Sequence, residues 1–76
     1  MIRAKMYLES ITHTTWGTQV ALRAVTKGEE NKDWSAATPT GTLNLTIKNE
    51  KAAERFKLED LGSEFYVDIT PAPATD

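Results

Sequence analysis

The chain has 76 residues, no cysteine, and 9 basic against 11 acidic side chains, for a net charge of −2. Such a chain makes one small domain, near the lower limit for a self-sufficient core, and holds neither a disulfide framework nor a zinc–thiolate site. Its charge excludes general electrostatic attraction to nucleic acid or to an anionic membrane, so an anion site must be built locally.

Ile2, Ala4, Met6 and Leu8 alternate with Arg3, Lys5, Tyr7 and Glu9, a period of two that predicts a half-buried strand. At Ile11 the apolar phase changes from even to odd, which predicts a bulge near Glu9 and Ser10. The run Thr12 to Thr15 is polar, and Trp16-Gly17 opens a second strand with Val20, Leu22 and Ala24 inward and Gln19, Ala21 and Arg23 outward. Gly28 marks the turn that ends it.

The polar stretch Glu30 to Gly41, ENKDWSAATPTG, follows, ending in a β-turn pattern with Pro39 second and Gly41 fourth. Leu43, Leu45 and Ile47 then alternate with Thr42, Asn44, Thr46 and Lys48 as a third strand. Asn49 has the chemistry of a helix N-cap, and a short helix is predicted from Glu50 to about Leu58. Leu61-Gly62-Ser63 turns into a last strand, where Phe65, Val67 and Ile69 alternate with Tyr66, Asp68 and Thr70 before Pro71 and Pro73 stop pairing. The fold class is mainly β: a small antiparallel barrel or strongly curved sheet, of OB-like or SH3-like size, with one short helix before the last strand. A sheet with the helix packed on one face is the alternative architecture. One compact domain is expected over 1–71, with a flexible tail over 72–76.

Enzyme signatures are missing. His13 is the lone histidine, in a polar run that predicts an exposed turn; no glycine-rich phosphate cradle is present. The acid pairs Glu29-Glu30 and Glu59-Asp60 flank predicted turns, where they read as solvated charge rather than a catalytic dyad. Asn44-Leu45-Thr46 matches a glycosylation sequon, without consequence unless the chain is secreted, and no apolar run long enough for a leader or a membrane span occurs. No metal, cofactor or membrane association is expected.

Two features carry chemistry. If the first two strands pair, Arg3, Lys5, Tyr7 and Arg23 share an outer face that either solvates the sheet or grips phosphates while stacking a base. In the long loop, Trp34 either plugs the end of the core or forms a contact surface, amid the polar groups of Asn31, Lys32 and Thr38. These eight residues are the candidate ligand-binding set. A core this small, with open strand edges, also predicts homo-oligomerisation.

The runs Arg3-Ala4-Lys5 with Tyr7-Leu8, then ENK-x-W-x-x-ATPTG, then GSEFYVDITPA from Gly62 to Ala72 together resemble a group of small bacteriophage proteins, mostly uncharacterised. That resemblance implies a viral origin and expression in a host bacterial cytoplasm. It points to a non-enzymatic, host-directed accessory protein that sequesters a cyclic nucleotide or similar anionic signal as an anti-defence device. The other class is a protein-interaction or minor virion module meeting a host protein; a nucleic-acid accessory role is disfavoured by the acidic charge.

Overall fold

A computed structural model describes residues 2–28, 30–32, 34–35 and 39–73. It is mainly β: β1 (Ile2–Thr14), β2 (Gly17–Ala24), β3 (Thr42–Ile47) and β4 (Glu64–Ile69) form one antiparallel sheet in the order β3-β2-β1-β4. The sheet stays open, with β3 and β4 as its edges. One short helix, α1 (Glu50–Ala53), and a 3₁₀ turn at Leu58–Asp60 precede β4.

The period-two pattern sorts the two faces along the middle of the sheet as predicted, while Ile2, Leu45 and Ile69, in the same apolar phase, are left exposed. Ala4, Met6, Leu8, Val20, Leu22 and Ala24 are buried on one side, with Ile11, Leu43, Ile47, Phe65 and Val67 packed around all but Ala24 of them. Between Leu8 and Ser10 the β1–β2 register shifts, leaving Glu9 as the extra residue of a bulge. The bulge explains how an even inward phase before Glu9 and an odd one at Ile11 serve the same core.

Two boundaries differ from the sequence expectation. β1 runs through the polar residues to Thr14, so His13 lies in a strand rather than a turn, exposed and 3.2 Å from Thr18 Oγ1 across the hairpin. Only Thr15 and Trp16 form the connection to Gly17, and the Thr14 hydroxyl clamps it by donating to Gly17 O and accepting from Trp16 N. The helix also stops early, at Ala53 rather than near Leu58. Its start is as expected: Asn49 Oδ1 accepts from the amides of Lys51 and Ala52 at 2.9 and 3.1 Å. Three-residue bonds from Arg55 N to Ala52 O and from Phe56 N to Ala53 O then tighten the chain. The tightened turn brings the Phe56 ring to 5.5 Å from that of Phe65.

Candidate interaction site

The predicted outer face exists, and strand order decides its chemistry. β4 lies beside β1, with Arg3 opposite Asp68, Lys5 opposite Tyr66 and Tyr7 opposite Glu64, while Tyr7 also faces Arg23 on β2. Arg3 donates to both Asp68 oxygens, at 2.6 and 3.0 Å, and its guanidinium sits 4.9 Å from the centre of the Tyr66 ring. Lys5 Nζ lies 3.0 Å from Glu64 and 3.4 Å from Glu30, and Tyr66 donates its hydroxyl to Glu30 at 2.8 Å. Arg23 Nε meets Glu9 at 2.8 Å. Arg3, Lys5 and Arg23, all expected at an anion site, therefore carry carboxylate partners already; Lys32 lies in the loop with its surface exposed.

The electrostatics follow from these contacts. The hydrogen bond from Arg3, then its charge, holds Asp68 below the usual carboxylate range, and the same contacts raise Arg3. Glu30 is lowered, chiefly by the Tyr66 hydrogen bond and then by Lys5. Tyr66 is raised by that bond to Glu30, and Lys5 is raised chiefly by its hydrogen bond to Glu64.

Asn31 and Trp34 sit elsewhere. Asn31 is buried, and its amide completes the ladder where β2 ends. Its Oδ1 accepts from Lys5 N at 2.7 Å and from Trp34 Nε1 at 3.2 Å, while its Nδ2 donates to the carbonyls of Lys5 and Val25 at 2.9 and 2.8 Å. A side-chain amide here replaces a strand partner. Trp34 is half-buried against the core cluster, as the plug reading anticipates, with its ring beside Gly41. Thr38 lies outside the described residues, as do Glu29 and the tail from 74 onward. Of the eight candidate residues, the sheet brings Arg3, Lys5, Tyr7 and Arg23 together on one face; Asn31 and Trp34 are engaged in fastening the loop.

A second region was not anticipated from sequence. A cleft of about 680 Å³ opens between the β1–β2 hairpin tip and α1. Trp16 stands at its edge, 73% exposed. Ile47, Ala53 and Phe56, each half-buried, contribute its apolar lining, and His13, Thr18, Lys48, Glu50 and Glu54 are among its polar residues. Gly17 makes this geometry accessible. Its φ of +137° suits glycine alone, and a Cβ there would come within 2.7 Å of Ile47 O, so the hairpin tip lies directly on the end of β3. The signal in the sequence was Thr-Thr-Trp-Gly, a tryptophan at a tight turn, where nothing local can bury it.

Among the described residues no three histidine or acidic side chains gather as a metal site, and no helix is long and apolar enough to cross a membrane. No protein-family model, curated protein or solved structure matches the chain.

Proposed function

We propose that the chain is a non-enzymatic protein-interaction module that receives a bulky apolar side chain of a partner in the cleft beside Trp16. The observation that carries this reading is Trp16 itself: a large aromatic ring held in water by a fastened hairpin, next to a cleft with an apolar lining. Tryptophan is the side chain most enriched among residues that dominate binding energy, and it does so where a pocket excludes water. The polar residues beside it supply both charge signs, Lys48 against Glu50 and Glu54, which suits a peptide segment better than a polyanion. Resemblance to bacteriophage proteins makes a host bacterial protein the partner class, and the host cytoplasm the place.

Sequestration of an anionic nucleotide through Arg3, Lys5 and Arg23 is the weaker reading on energetic grounds. A phosphate entering the outer face must displace Asp68, Glu30, Glu64 or Glu9, each already a charge-assisted partner.

Selection from a displayed random-peptide library tests the proposal. Enriched peptides should share a bulky apolar residue, and Trp16→Ala should weaken their binding by about 2 kcal/mol, roughly thirtyfold, by calorimetry. Because Trp16 is exposed, the variant should melt like the wild type. Peptides that bind Trp16→Ala equally well would defeat the reading. A rise in melting temperature with a cyclic nucleotide, worth about 2.7 kcal/mol at ~100 times its Kd, would move the function to sequestration.

A further inference from the structure

We infer that β3 is the edge through which two copies of this chain pair, with the two-fold axis at Asn44. Among the described residues neither β3 nor β4 pairs with a further strand on its outer side, but the two edges differ in what protects them. Natural edge strands are blunted by charge, proline or a bulge. Along β3, Thr42-Leu43-Asn44-Leu45-Thr46-Ile47, there is no charged residue, no proline and no break in register against β2. Along β4 the opposite holds. A self-pairing centred on Tyr66 would set Glu64 against Asp68 of the second copy, and Pro71 and Pro73 lie just beyond the strand.

Backbone geometry selects the register. Ala24 N donates to Gly41 O at 3.0 Å, which makes Ala24 and Gly41 a hydrogen-bonded pair. Alternation along an antiparallel ladder then turns the N–H and C=O of Leu43, Leu45 and Ile47 toward β2. Those of Thr42, Asn44 and Thr46 point away from the sheet. A second β3 can use all three only when Asn44 meets Asn44 and Thr42 meets Thr46, giving about six backbone bonds. The same register sets Leu43 beside Leu45 of the second copy on the apolar face, and Leu45 is 45% exposed in the single chain. Lys48 falls opposite Thr40, so no like charges meet. Hydrogen bonding, apolar phase and charge agree on one arrangement.

The contact is narrow, below the roughly 1,200 Å² of standard interfaces, so association at about 100 µM is expected. It does not use Trp16, so Trp16→Ala should leave it intact, although the cleft shares Ile47 and Lys48 with the end of β3. Sedimentation equilibrium from about 10 µM to 1 mM should show a mass approaching twice the 8.4 kDa chain. Asn44→Pro removes an N–H aimed at the second copy and none used by β2, so it should be monomeric with unchanged circular dichroism. Asn44→Lys and Asn44→Asp should each be monomeric at low salt, because each places like charges across the axis. Mixed in equal amounts, they should pair at least as well as the wild type. A wild type that stays monomeric through 1 mM, or point variants that stay dimeric, would overturn the pairing. Failure of the mixture to associate would overturn the register at Asn44.

Discussion

Asn31 and Gly17 show how single residues hold this fold to its shape. Asn31 is buried and satisfies four groups at once: the amide and carbonyl of Lys5, the carbonyl of Val25 and the indole of Trp34. Asn31→Ala takes that partner from the Lys5 amide, the Val25 carbonyl and the Trp34 indole, while the Lys5 carbonyl keeps its bond from Val25 N at 3.0 Å, and should cost about 1–3 kcal/mol. Asn31→Asp should cost more, since it turns a buried carboxylate oxygen toward two carbonyls. Chemical denaturation followed by tryptophan fluorescence reads both; an Asn31→Ala variant as stable as the wild type would contradict the ladder role. Gly17→Ala combines a left-handed backbone with a Cβ 2.7 Å from Ile47 O. A loss of at least about 1–3 kcal/mol is expected from backbone strain, with the hairpin tip displaced from β3. Thermal melting should show it, and an unchanged midpoint would mean the tip does not rest on β3. Neither role is written in residue type alone. The sequence marks Asn31 as polar and Gly17 as flexible, but what each meets comes from segments distant in the chain.

At the scale of elements, the strands were legible because apolar residues alternate wherever one face is buried. The bulge at Glu9 was legible for the same reason, through the change of phase at Ile11. Where both faces are polar the signal vanishes, and so the continuation of β1 through His13 and Thr14 reads as loop. The helix was overestimated because Phe56 and Leu58 extend a helical apolar pattern, whereas Phe56 turns away to meet Phe65. Strand phase can be tested directly at β4. Val67 pairs with Ala4 and packs against the core cluster. Val67→Asp puts a carboxylate there without a partner, and in a domain whose buried set is this small the expected result is unfolding at room temperature. A cooperative melt near the wild-type midpoint would show that Val67 does not face the core. The candidate site was half legible on the same logic: outward phase identified Arg3, Lys5 and Arg23, but their carboxylate partners depend on β4 lying beside β1, a long-range choice that no local pattern states.

For the whole molecule, those charges act as a lattice that ties β4, β1 and the long loop together on the outer face, from Asp68 through Arg3, Tyr66, Glu30 and Lys5 to Glu64. The lattice gives stability a pH dependence with a definite sign on each side. Asp68 and Glu30 titrate lower in the folded chain than in the unfolded one. Below the ordinary carboxylate value near about 4, the unfolded state binds more protons, so their contribution is complete above that value and is lost as pH falls through the depressed folded values. Tyr66 and Lys5 titrate higher when folded. Their contribution is complete below about pH 10 and is lost as pH rises through the folded values. The melting temperature should therefore form a plateau with an acid and an alkaline shoulder. Asp68, Glu30 and Tyr66 are solvent-exposed and Lys5 is half-buried, so added salt should shrink both shoulders by screening. Asp68→Asn should shrink the acid shoulder to the share of Glu30 and leave the alkaline one, which rests on Tyr66 and Lys5. Differential scanning calorimetry from pH 3 to 11 at low and high salt makes the comparison. A variant with the wild-type acid slope would show that Asp68 and Arg3 touch without coupling to folding, and the outer face would then be free to exchange its carboxylates for a ligand's phosphates.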